Sequence, residues 1–192
     1  EYAPEEELPE NWDLEGLEAR FQYLFGFAPR IEPEGNAEPA PLIDDLLAQV
    51  SDRYTQSEAS IAEEWRAAYR EQSGNDGASI DFGRVARKWV GDIEKMAILS
   101  AVDDKWIEHL YSMDYLRESV RLRAFGQRDP LVEYKNEGFE MFENMMRSIE
   151  ESVVQTVFRL TDPEVRKTRR IELRRGTLTA KNDPFASISN YT

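Results

Sequence analysis

One apolar stripe dictates most of what this chain can fold into. From Phe82 onward, Val85, Trp89, Ile93, Met96, Leu99, Val102, Trp106, Leu110, Met113, Leu116 and Val120 follow at steps of three or four. That spacing puts them on one face of an α-helix. No proline interrupts the run, Gly83 falls in its first turn, and Gly91 in its interior costs only ~1 kcal/mol against alanine. A helix of about 40 residues is ~60 Å long at ~1.5 Å per residue. Such a rod cannot bury its stripe alone; it needs a partner helix.

The partner follows the segment RLRAFGQRDP. Leu131, Tyr134, Gly138, Phe142, Met145, Ile149, Val153, Val157 and Leu160 repeat the same period. A short turn forces the two helices to lie antiparallel. With the turn centred near Phe125 and Gly126, Trp106 faces Met145 and Leu110 faces Met141 or Phe142. Trp106, Leu110, Met113, Phe142 and Met145 are the predicted core of this hairpin, with sulfur against rings giving adaptable packing. Gly138 lets the turn of helix around Tyr111 to Met113 approach closely.

The predicted fold is all-α. Residues 1–11 are acidic and proline-containing and read as an extended lead-in. Asp13 can cap a helix to about Phe25, with Leu14, Leu17, Phe21 and Leu24 on one face and Gly26 at its end. IEPEGNAEPAP (31–41) reads as a loop. A helix, or two collinear ones meeting after Tyr54, is expected from Leu42 to about Glu71. SGNDG (73–77) breaks the pattern and is the expected boundary between two parts. Asp162-Pro163 ends the second hairpin arm, and the rest has little core-forming content. The organisation is therefore a small helical part (1–80), a long antiparallel hairpin (81–160, tip 121–130) and a basic tail (161–192), with no internal repeat.

Charge and composition exclude several classes. The chain has 192 residues and net charge −14, and no apolar run approaches the roughly 20 residues of a membrane span. There is no cysteine, so disulfides and thiolate metal sites are excluded and a reducing compartment is permitted. The first residue is Glu rather than Met, which reads as a cut or processed end. Residues 1–80 hold 19 acids against 5 bases, whereas residues 161–192 hold 4 against 7. The acidic first part would repel phosphate, so no nucleic-acid partner is expected. GxxxxGK[ST] is absent, so no ATP-binding loop is expected.

Chemistry-bearing candidates are few. His109 is the only histidine, and a general base or metal site needs partners held nearby, so it reads as a structural or surface residue. Trp65, Trp89 and Trp106 lie on helical stripes and read as core; Trp12, before the Asp13 cap, reads as a staple. Acid pairs such as Asp44-Asp45 and Asp103-Asp104 read as solvated faces. The hairpin turn is different: Arg121, Arg123 and Arg128 surround Phe125 in an otherwise acidic molecule. These arginines can complement a helix C-terminus while Phe125 folds onto the hairpin end, or the turn can present an exposed ring flanked by positive charge at the end of a stiff lever. The tail's VRKTRRIELRR reads as a solvated linker or as a polybasic segment for anionic lipid over residues 166–175.

The wording WIEHLYSMDYLRESVRLRAFGQRDPLVEYKNEGFEMF is far more specific than a generic helix pair needs. Over roughly residues 89–160 it closely resembles the helical scaffold of the SecA family of bacterial preprotein translocase motors, where this hairpin is the two-helix finger. PENWDLEGLEARFQYLFGF (9–27) is similar, more weakly, to the start of that family's helical wing domain. The resemblance implies a C-terminal fragment of a larger ATPase. In it the finger tip would enter the mouth of the SecY channel and touch unfolded preprotein. Phe125 falls where the family's tip aromatic, most familiar as Tyr, stands; it keeps the ring and lacks the hydroxyl. Arg121, Arg123, Gln127 and Arg128 would position the tip.

Partners implied are the SecY channel complex, unfolded preproteins and the rest of the motor, at the bacterial cytoplasm and the cytoplasmic face of the inner membrane as a peripheral protein. The fragment itself is implied to be non-enzymatic and without cofactors. ATP and magnesium belong to nucleotide-binding folds upstream, and the Cys-rich zinc-binding end of many members is missing. The family's long central scaffold helix precedes the wing and is not in this chain. An exposed apolar stripe is therefore expected, covered by a homodimer of the fragment or by the tail. The rival reading is a structural helical adaptor whose turn merely closes the hairpin.

Overall fold

The computed structural model describes residues 2–4, 8–31, 38–75, 77–123 and 129–167; the side chains of Pro9 and of residues 121–123 are not among them. Among the described residues the chain is helical and has no strand, as the periodicity predicts. A 3-10 turn, Pro9–Asn11, leads into α1 (Leu14–Phe25), α2 (Pro39–Ser73), α3 (Phe82–Arg123) and α4 (Pro130–Thr161). Residues 163–167, the last described, are helical as well.

The Asp13 cap lies where the sequence puts it, and α3 is capped as well. Asp13 Oδ1 accepts from the Gly16 amide at 2.9 Å and starts α1, and Asp81 Oδ1 accepts from the Arg84 amide at 2.9 Å at the start of α3. α2 begins at Pro39, inside the expected loop, because a proline in the first turn lacks only an N–H that would be unpaired there anyway. It runs unbroken to Ser73, so the apolar gap after Tyr54 is no junction. Ser57 fills that gap: it is buried, and its hydroxyl donates to the Arg53 carbonyl at 2.9 Å.

Two compact units emerge: residues 1–93 with 157–192, and residues 94–156. In the first, Phe21 lies 4.6 Å from Phe25 and 5.2 Å from Phe27 between ring centroids, and Phe158 meets Phe25 edge-on at 5.2 Å. Trp65 and Trp89 meet edge-on at 5.8 Å, and Ile61, Ala86 and Val90 of the same unit are fully buried. Each large side chain so buried contributes roughly 1.5–3 kcal/mol. The described residues of the 73–77 breaker lie inside this unit, with Gly74 and Gly77 both at positive φ. Gly77 is buried at φ 64°, and a Cβ there would stand 3.0 Å from both the Tyr69 and Phe82 rings.

The helical turn at 163–167 belongs to this first unit as well, though its composition suggested a loose tail. Asp162 Oδ1 accepts from the Glu164 and Val165 amides at 2.8 and 3.2 Å, which nucleates the turn after Pro163. Its charged side chains then reach α2.

Candidate functional site

The second unit is the hairpin itself, built from the α3 residues after Ile93 and the α4 residues before Val157. Its seam is narrow. Ala97, Ala101, Leu116 and Val120 of α3 and Met145 of α4 are buried. The arms approach closely at Gly138, where a Cβ would stand 3.2 Å from Met113 Cε and 3.8 Å from Leu116 Cδ2. The glycine thus admits the Met113 side chain, as its placement opposite residues 111–113 predicts.

Three of the five predicted core residues need correction. Met145 is buried and Met113 packs on Gly138, but Trp106, Leu110 and Phe142 are 46%, 49% and 43% exposed. The reason is geometric: an apolar stripe at helical spacing spans about 100° or more of the helix surface, and a single partner helix covers only its middle. His109, half-buried, fills the space between the two exposed rings, 5.8 Å from Trp106 and 6.0 Å from Phe142. That is the structural one of the two roles expected of it. Among the described residues no group of three or more His, Cys, Asp or Glu side chains could hold a metal.

Leu99, Val102, Trp106 and Leu110 of α3 and Phe139, Phe142 and Met146 of α4 are all 41–65% exposed. A cleft of about 230 Å³ has His109, Met141 and Met145 in its lining and a polar rim of Lys105, Glu108, Ser112, Asn144 and Ser148. Lys105 pairs with Glu108 at 3.0 Å, and Arg147 donates to the Asn144 side-chain oxygen at 2.6 Å. Ile107, Tyr111 and Tyr115, spaced by four, form a further exposed row on α3. Only the spacing of Tyr111 and Tyr115, off the main stripe, hinted at it.

Of the predicted tip, Phe125, Gln127 and Arg128 lie outside the described residues, as do the side chains of Arg121 and Arg123. What the described residues fix are the arms on either side: α3 through Arg123, and α4 from Pro130, started by Asp129, whose Oδ1 accepts from the Leu131 amide at 2.9 Å. The basic run also changes character. Arg166 bonds Glu64 and Ser60, and Lys167 pairs with Glu164 at 2.7 Å, so its first two cations are engaged within the chain.

Comparison with known proteins places the chain. The family described as the SecA Wing and Scaffold domain matches residues 1–161. "Protein translocase subunit SecA" of Pelotomaculum thermopropionicum is 40% identical over 173 residues, covering 88% of this chain and 17% of the relative. The protein of the same name from Carboxydothermus hydrogenoformans is 35% identical over 175 residues, again 88% and 17%. That of Streptomyces coelicolor is 36% identical over 169 residues, 87% and 16%. The chain thus spans about a sixth of the length of these relatives. No solved structure matches it.

Proposed function

This chain belongs to the SecA family as its wing and scaffold domain, and from that premise we propose that it is a non-catalytic part of a bacterial protein-export motor. Residues 1–80 act as the wing-like part and 81–160 as the scaffold with its two-helix finger. Residues 121–130 form the tip that meets unfolded preprotein and the SecY channel complex. The observation that supports this best is the hairpin: two long arms, closed on each other at Gly138, on either side of a segment whose sequence carries Phe125 among Arg121, Arg123 and Arg128.

The physics of such a tip is general rather than specific. An unfolded substrate has no fixed sequence, so contact must serve any side chain. A ring offers apolar area to all of them, and guanidinium groups meet carbonyls or phosphates. The arms supply reach: 30 helical residues of α3 beyond Ile93 extend ~45 Å at ~1.5 Å per residue. Nucleotide chemistry, with ATP and magnesium, belongs to other parts of the parent. The exposed face around Trp106 and Phe142 serves packing against the rest of the motor. We place the parent in the bacterial cytoplasm and, peripherally, at the inner membrane; no helix among the described residues is long and apolar enough to cross a bilayer. Any contact of the basic run with anionic lipid falls to Arg169, Arg170, Arg174 and Arg175, beyond the engaged Arg166 and Lys167.

The test is site-specific crosslinking from position 125 in the intact parent during active transport, paired with Phe125→Gly. Crosslinks to substrate or channel, with basal ATP hydrolysis kept and translocation cut sharply, are expected. Crosslinks only within the protein and unimpaired translocation would leave the hairpin as a structural adaptor.

A further inference from the structure

The turn at 162–167 is held by charges rather than by apolar burial. Val165 is 38% exposed, and Glu164 and Lys167 are exposed. Two ion pairs join the turn to α2. Arg53 bonds Asp162 Oδ2 at 3.0 Å, and Arg166 reaches Glu64 at 3.3 Å and donates to the Ser60 hydroxyl at 3.2 Å. Arg53 also lies 5.6 Å from the centroid of Phe27, so the first pair is tied into the aromatic cluster. Asp162 does two jobs, since its other oxygen caps the turn.

The one turn of helix described here cannot hold itself, because nucleation is unfavourable and a single turn recovers little of it. Its docking therefore stands or falls with the two pairs. Neither pair is strongly favourable. The Arg166 side chain is only 12% exposed, and its Nε is buried with no partner among the described residues. Burial pushes its guanidinium below the usual arginine range, opposed by Glu64 and then Asp162. Desolvation thus offsets much of the attraction, which is the general condition of part-buried ion pairs.

We propose that residues 162–167 are an electrostatic latch: they dock on α2 through Arg53–Asp162 and Arg166–Glu64, and undock as a unit while α2 and the end of α4 stay folded. Docked, the latch sets where the chain leaves α4 and commits Arg166 to α2. Undocked, it returns Arg166 to the basic run that begins there. This inference does not depend on the export reading.

Hydrogen exchange on the full 192-residue chain tests it, following peptides over 157–161, 162–167 and 57–66. In Glu64→Gln, exchange over 162–167 is expected to rise about tenfold or more, because the docked Arg166 is left buried without its counter-charge, with the peptides of α4 and α2 unchanged. In the unaltered chain the same segment should open further as salt is raised, since its pairs are partly exposed. The charge swap Glu64→Arg with Arg166→Glu should restore protection. Unchanged exchange over 162–167 in Glu64→Gln would overturn the latch. So would an increase spread equally through 157–161 and α2, because the contacts would then be ordinary struts of the unit.

Discussion

Gly138 offers the sharpest test of how the hairpin arms are held, because two substitutions there should act with opposite sign. An interior helical glycine is ~1 kcal/mol less favourable than alanine. In Gly138→Ala the new Cβ stands 3.2 Å from Met113 Cε, the free end of a flexible side chain, so a shift of a few tenths of an ångström relieves it at about 0.5 kcal/mol or less. The net expectation is stabilisation by roughly 0.5 kcal/mol. Gly138→Leu adds three more carbons where Met113 and the buried Leu116 already sit. Overpacking of this kind costs ~1–3 kcal/mol, which outweighs the helix-propensity gain. Met113→Ala alone should destabilise by about 1–3 kcal/mol through lost packing. Combined with Gly138→Leu it should recover at least ~1 kcal/mol of the sum, since contacting sites couple. Urea unfolding by circular dichroism, with amide exchange over residues 112–117 as the local probe, reads all four variants. Equal signs for the alanine and leucine variants, or additivity in the double variant, would refute the close approach at Gly138.

Two further expectations concern each unit. Gly77→Ala should destabilise the first unit by ~2–4 kcal/mol: φ 64° costs a residue with a Cβ about 1–2 kcal/mol, and that Cβ meets two rings at 3.0 Å, so Tyr69 and Phe82 must move. A loss under about 0.5 kcal/mol in chemical denaturation would show that the backbone at Gly77 relaxes freely. The isolated chain should associate through the face around Trp106 and Phe142, and Trp106→Lys should return it to monomer by light scattering; a monomer at every concentration, with Trp106 in place, would defeat this.

The sequence announced helices more readily than it announced what covers them. Period alone located α3 and α4, because both are long and strongly patterned, and Asp13 marked the start of α1 by its capping chemistry. Period could not tell seam from edge: Leu116 and Leu110 sit on the same stripe, yet the first is buried and the second half-exposed. The α2 gap misled because Ser57 is polar by type but satisfied by its own helix, so it packs like a small apolar residue. The 162–167 contacts were illegible, since Arg53 and Asp162 are 109 positions apart and charges carry no period. Gly138 was readable because it interrupts a stripe of large residues opposite Met113.

The narrow seam bears on the finger reading itself. Among the described residues of the second unit, only Leu116, Val120 and Met145 of the larger side chains are buried, the other buried apolar positions being Ala97 and Ala101. A pair of helices joined along so thin a line resists separation weakly, whereas each arm alone resists bending through its own backbone hydrogen bonds. A rod that must push an unfolded chain needs both kinds of stiffness. The first is available only when the face carrying Leu99, Trp106, Leu110, Phe139 and Phe142 is also covered, because that burial adds roughly 25 cal/mol per Å² of apolar surface to whatever holds the arms together. Stiffness of the hairpin is therefore a property of the assembled parent rather than of this chain. Substitutions at Trp106 or Phe142 should then weaken transport in the intact motor while barely changing the unfolding of the isolated chain at concentrations low enough to keep it monomeric, where those rings stand half in solvent. A large loss of stability in the isolated chain would place them in the seam after all.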